Sequence, residues 1–144
     1  MNPIIREASA RWKGGAKGGT CAMTMESNAL KPAKFSWGMS QKRKSQVDPV
    51  QLIAAAHAGS FSRALSGELG LKASAPGEIV TTATLTMENL SAGWTILNIH
   101  LHVVAKLPKM TQGRFIDATV RAKMRCLVSR LLRANISMNA KLEK

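Results

Sequence analysis

The stretch Asp48-Pro49-Val50-Gln51-Leu52-Ile53-Ala54-Ala55-Ala56-His57-Ala58-Gly59-Ser60-Phe61-Ser62 decides the reading of this chain, because it marks a helix with an unusual face. Asp48 is a residue type that accepts hydrogen bonds from the first free helical N–H groups. Pro49 presets the backbone for the first helical position, and Gln51 can reach back toward the cap. Ile53, Ala56, His57, Ser60 and Ala64 then recur three or four residues apart, so Ser60 is expected on an apolar face, pointing inward. The alanines keep side chains short, which lets a second element approach closely and leaves room beside position 60.

Working outward, 144 residues with 45% hydrophobic content suit one domain over residues 1–144. No run of about 18 apolar residues is present to span a bilayer. Residues 1–11 lack the apolar centre of a secretory signal. The expectation is a cytoplasmic protein with no membrane association. The only two cysteines, Cys21 and Cys126, are too few for a disulfide framework and lack metal-ligand spacing. Each is a structural thiol or a redox thiol.

Charge is the other unusual property: 21 basic against 8 acidic residues give a net +13, a balance that attracts anionic partners. The basic residues are scattered, however, with one cluster at Lys42-Arg43-Lys44 and a looser set at Arg121, Lys123, Arg125, Arg130 and Arg133. Tyrosine is absent, and the three Trp and three Phe form no platform on which bases could stack. Nucleic acid is therefore not implied, and the basic residues read as a solvated surface.

Periodicity organises the rest. Alternation in residues 8–13 and 20–25 predicts a hairpin across the glycine-rich residues 14–19. Gly14 and Gly19 have the spacing of a phosphate loop, but Thr20 stands where a lysine must follow, so a turn is the better reading. A short strand is expected over 35–39, the helix over 49–69 and a linker over 72–77. Residues 79–87 and 95–103 alternate as half-buried strands around a turn at 89–93. Ile116, Val120, Met124, Leu127 and Leu131 trace the core stripe of a second helix of about twenty residues. Residues 134–142 alternate as the last strand, and the class is α+β.

His57 reads as a core or interface histidine making one hydrogen bond. His100 and His102 share a strand face with the spacing of a metal pair, but no third ligand follows and Asn98 is a poor one, so no metal is expected. Cys21 reads as packing, and the dispersed methionines as core filling.

Several segments together carry a resemblance: Arg11-Trp12-Lys13-Gly14-Gly15, Met25-Glu26-Ser27 with Ala29-Leu30, Asp48-Pro49 with residues 52–62, and Arg121-Ala122-Lys123 through Cys126-Leu127-Val128-Ser129. Nearly end to end, the chain resembles the OsmC/Ohr family of hydroperoxide reductases. The resemblance implies an OsmC-like fold of antiparallel sheets around two long helices. It also implies an intertwined homodimer with two active sites at the subunit interface. Such proteins reduce organic hydroperoxides with a peroxidatic cysteine on the first helix and a resolving cysteine on the second, aided by an arginine and a glutamate. Their electrons come from dithiols such as protein-bound lipoyl groups, so no cofactor is implied.

Carried onto this chain, the peroxidatic position falls on Ser60, the resolving position on Cys126, the glutamate on Val50 and the arginine on Ser40. Leu127 replaces the proline usual after the resolving cysteine. A serine hydroxyl has no low-pKa anion and cannot pass through a sulfenic acid, so Ser60 cannot take the family's first step. The expectation is a hydroperoxide reductase scaffold for oxidative stress defence with impaired or lost dithiol chemistry. The alternative is a non-catalytic dimer that binds a hydrophobic ligand or an anionic partner. Cys126 acting alone is a further option, with Lys123 and Arg130, three before and four after it, expected to lower its thiol pKa. Against that stands a plain buried thiol.

Overall fold

Strand alternation and helical spacing both appear in the computed structural model, which describes residues 3–13, 20–27, 34–35, 49–72 and 74–144, with backbone alone at 12, 20, 21, 34 and 35. Its contacts divide into two units, Met1–Leu52 and Ile53–Lys144. In the first, β1 (Ala8–Lys13) pairs antiparallel with β2 (Thr20–Met25), from Ala8 opposite Met25 to Lys13 opposite Thr20. The short β3 (Lys34–Phe35) joins β2 at Cys21 and Ala22. The glycine-rich turn, the rest of the expected third strand, the Lys42-Arg43-Lys44 cluster and the Asp48 cap lie outside the described residues.

The first helix, α1 (Pro49–Glu68), closely matches the expected span. Its buried stripe is His57, Phe61 and Leu65, continued by Leu69, a spacing of four. Ile53, Ser60 and Ala64 are half-buried and Ala56 is exposed, so the inward face is rotated from the one expected and Ser60 lies at its edge. Large side chains dictate this, since Phe and Leu remove far more apolar area from water than alanine does.

The second unit's sheet has the order β4 (Glu78–Leu90), β5 (Gly93–Lys106), β6 (Asn135–Glu143). β4 runs antiparallel to β5, whereas β6 runs parallel to it, which requires a long crossover. Two helices, α2 (Gln112–Arg125) and α3 (Leu127–Leu131), supply that crossover. The register shifts at Thr86/Met87: Thr86 faces Asn98 while Met87 faces Ile96, which leaves Leu97 without a partner. This bulge seats Ile96 on the core in place of Leu97, the residue that simple alternation selects. Gly77, just before β4, has φ +102, and a Cβ there would stand 2.1 Å from the Lys106 carbonyl oxygen, so only glycine fits.

The second expected helix is corrected in two ways. It breaks at Cys126, whose φ of −58 and ψ of 122 are not helical. Its expected core stripe also faces outward, from Ile116 at 39% exposure to Leu131 at 76%. The buried face instead carries Phe115, Ala118, Thr119 and Ala122, ending at Cys126. Alanines at 118 and 122 permit close approach to the core, and the bulkier residues turn away from it.

One core results, built from Phe61, Leu65 and Leu69, from Ile99, Leu101, Val103 and Ala105, and from Phe115, Ala118, Ala122 and Cys126. The end of α1 is tied to α2 by Glu68, which accepts from Arg121 Nε at 2.9 Å and Arg125 Nη1 at 3.0 Å. Arg114 Nη2 adds a bond to the Leu69 carbonyl at 3.0 Å. Ser62 Oγ donates to Thr81 Oγ1 on β4 at 2.8 Å. These contacts fix the position and rotation of α1, and with them the place of residues 57 and 60.

Candidate functional site

The break in the crossover helix is what makes a site. Cys126 caps the end of α2, its N–H bonding the Ala122 carbonyl at 2.8 Å, and opens α3, its carbonyl accepting from Arg130 N at 3.0 Å. The fully buried sulfur lies 3.4 Å from Ser60 Oγ on α1. Ser60 and Cys126, 66 residues apart in sequence, are thus brought together.

Burial alone pushes the Cys126 thiol up. Hydrogen bonding with the side chains of Ser129 and Ser60 and with the backbone of Ser129 and Val128 outweighs burial and holds it below its ordinary value. The lowering comes from these hydrogen bonds rather than from Lys123 and Arg130, which corrects the expected cause. Because the helix breaks at Cys126, the continuous three-and-four spacing assumed for those two cations does not hold.

Ser129 also bonds His57 Nε2 at 2.7 Å. His57 is fully buried, its Nδ1 has no partner, and burial holds its pKa below the ordinary value. Two side-chain pairs therefore stand at the helix break, Ser60 with Cys126 and Ser129 with His57. The sequence reading missed the part played by Ser129. A hydroxyl three residues after a residue that opens a helix is the available signal, since that spacing returns it toward the cap.

Val50 lies half-buried in the first turn of α1, an aliphatic side chain with no charge to offer. Ser40 lies outside the described residues. Cys21 sits in β2, opposite Trp12 and Phe35. On the outer face of the second sheet, His100 Nδ1 meets Ser137 Oγ at 2.7 Å, and its Nε2 meets Asn139 Oδ1 at 2.6 Å. His102 Nδ1 meets the same Asn139 oxygen at 3.0 Å. Among the described residues no group of three His, Cys, Asp or Glu side chains converges as metal ligands. A cleft of about 560 Å³ opens elsewhere, between Gly77, Leu107, Pro108, Met110 and Leu142, with Lys106, Lys109 and Lys144 among its lining.

The chain is similar to known proteins in both sequence and fold. Residues 42–141 match the family described as OsmC-like protein. The chain is 31% identical over 140 residues to the peroxiredoxin OsmC of Escherichia coli strain K12, a match covering 97% of this chain and 98% of that protein. In fold it is similar to the organic hydroperoxide resistance protein OhrB of Bacillus subtilis, with a TM-score of 0.65, 19% identity and coverage of 97% and 98%. It is also similar to an OsmC-like protein of Mycoplasma pneumoniae, with a TM-score of 0.75, 11% identity and coverage of 98% and 99%.

Proposed function

The chain belongs to the OsmC-like protein family, and from that premise we propose that it is an organic hydroperoxide reductase scaffold whose dithiol chemistry is impaired or lost at Ser60. The observation that carries this reading is the 3.4 Å approach of Ser60 Oγ to Cys126 Sγ. Two sulfurs at those positions would lie in contact, whereas a hydroxyl and a thiol have no disulfide to form. The expected places of the supporting glutamate and arginine carry Val50 and Ser40, which bring neither the carboxylate nor the positive charge of those residues. The names of the relatives, a peroxiredoxin and a hydroperoxide resistance protein, support the substrate class, with a dithiol or lipoyl group as reductant.

The test is alkyl hydroperoxide consumption with a dithiol reductant, comparing the native chain with Ser60→Cys and Cys126→Ala. Ser60→Cys is expected to form a disulfide with Cys126 on oxidation, yet to raise turnover less than about tenfold, because one order of magnitude needs only about 1.4 kcal/mol of barrier and neither Val50 nor Ser40 supplies it. A recovery of several orders of magnitude rules out a decayed site.

A homodimer belongs to the same proposal. The exposed Ile116, Val120, Met124, Leu127 and Leu131 support it, since large apolar side chains left open on one chain call for cover. Met124→Glu is expected to weaken self-association in sedimentation, and a monomeric native chain removes this part of the reading. We place the chain in the cytoplasm on sequence grounds; among the described residues no helix is long and apolar enough to cross a membrane. A second reading, a non-catalytic dimer binding a hydrophobic ligand or an anionic partner, is favoured by the cleft near Leu107 and Leu142, whose lining carries three lysines beside Glu143. Retention of a fatty acid by a protein inert toward hydroperoxide would select it.

A further inference from the structure

We propose that the cleft between the Leu107–Met110 turn and the end of β6 binds a single-chain fatty carboxylate, with Lys109 receiving its head group. The inference rests on the ligand-binding reading above and deepens it by naming one ligand class, apolar and anionic at once, for that cleft.

The turn supplies the first observation. Met110 N donates to the Leu107 carbonyl at 3.2 Å, so Pro108 and Lys109 are the two central residues of a four-residue turn. Lys109 has φ 65, the only positive φ at a non-glycine among the described residues. At the second central position, after a proline, that conformation favours glycine, because a Cβ there crowds the backbone. Backbone strain of this kind gathers where a ligand is held. Here it sets an ammonium group at the cleft, where glycine would leave none.

The lining supplies the second. A volume of about 560 Å³ falls within the roughly 300–1,000 Å³ of small-molecule sites. Leu107, Pro108, Met110 and Leu142 make the lining apolar, and its charge is Lys106, Lys109 and Lys144 against Glu143. That one carboxylate is shared, its two oxygens lying 3.7 Å from Lys106 Nζ and 3.7 Å from Lys141 Nζ. Among the described residues no carboxylate pairs with Lys109 or Lys144. Two uncommitted cations beside an apolar lining match a ligand with one negative end and a hydrocarbon tail, whose methylenes leave water as its head group is neutralised. A neutral hydrocarbon answers only the lining, and a compact anion only the lysines. Gly77 lines the same cleft, and its missing Cβ lets the chain before β4 pack onto the Lys106 carbonyl, which steadies the backbone leading into the turn.

The experiment titrates the full chain calorimetrically with decanoate below its self-association concentration, with decanol as the uncharged probe. Decanoate is expected to bind about fivefold more tightly than decanol. Octanoate is expected to bind roughly tenfold more weakly than decanoate, since two fewer methylenes leave water. Lys109→Gly is expected to weaken decanoate binding about fivefold without lowering stability in urea, because glycine suits the turn; Lys109→Glu is expected to weaken it more than tenfold. A purely structural role for Lys109 would move stability and leave the affinity alone, which overturns the proposal. Decanoate bound equally by the native chain and both variants overturns the cleft assignment while the ligand-binding reading stands. Decanol bound as tightly as decanoate overturns the anionic head group. Binding to phosphatidylglycerol vesicles with none to monomeric decanoate overturns the ligand class, and no binding of any probe overturns the whole inference. Hydroperoxide turnover is measured separately and is independent of each of these results.

Discussion

Two histidine–serine pairs of the same length stand in opposite surroundings. His57 meets Ser129 at 2.7 Å in the core, and His100 meets Ser137 at 2.7 Å on the outer face of the sheet. His100 is satisfied at both nitrogens, and Asn139 Oδ1 also holds His102. His57 has one partner and an unpaired Nδ1. Distance therefore does not separate them; solvent does. On the exposed face, water replaces any bond that breaks, so the net gain is small. In the core no water substitutes, and the single bond joins the ring to the Ser129 hydroxyl.

The largest difference should appear in stability. His57→Ala is expected to cost about 2–4 kcal/mol in urea unfolding, from a cavity beside Phe61 and an unpaired Ser129 hydroxyl; a cost near that of a surface mutation would erase the contrast. Next comes the acid response. With burial holding the His57 pKa below its ordinary value of 6.5, the unfolded chain binds a proton first. Stability therefore declines as the pH drops from 6.5 toward the folded value and levels off beneath it. Unfolding curves of His57→Gln should lack that slope, and an unchanged slope would show that another group sets it.

Glu68 gives a third, exposed reference. A hydrogen bond from Arg121 chiefly, with Arg125, holds its carboxyl below its ordinary value of 4.5. Its stabilising effect is present above 4.5 and lost as the pH falls through the folded value, so Glu68→Gln should flatten only the limb below 4.5. The smallest effects belong to the outer network: His100→Ala and Asn139→Ala should each stay within about 0.5 kcal/mol of native. A larger loss in either would make the sheet face a structural element in its own right.

Much of this arrangement was legible from residue pattern. The spans of β1, β2, α1 and β6 follow from alternation, spacing and the Pro49 start, because those signals act over a few neighbouring residues. The crossover helix was half legible. Its extent showed in the spacing from 116 to 131, but the break at Cys126 and the choice of inward face did not. Two faces of that segment are apolar, and local pattern ranks them by bulk, which selects Ile116, Val120 and Met124. Packing against α1 and the sheet ranks them by fit, which selects Ala118 and Ala122. Leu97 misled for a related reason, since a bulge moves a side chain to the other face without altering the alternation before it. At the site, Ser60 and Cys126 were paired by resemblance, while Ser129 and the reach of His57 toward it had no local signature.

The amino-acid order alone determined the class of fold, the family and the chemistry denied to residue 60, because side-chain type is a covalent property and no folding turns a hydroxyl into a thiol. Tertiary structure alone decided what surrounds Cys126. Hydrogen bonds with three residues, burial that excludes water and an imidazole bonded to Ser129 from 72 positions away along the chain depend on how two helices meet. That meeting is set by the whole core rather than by any stretch of sequence.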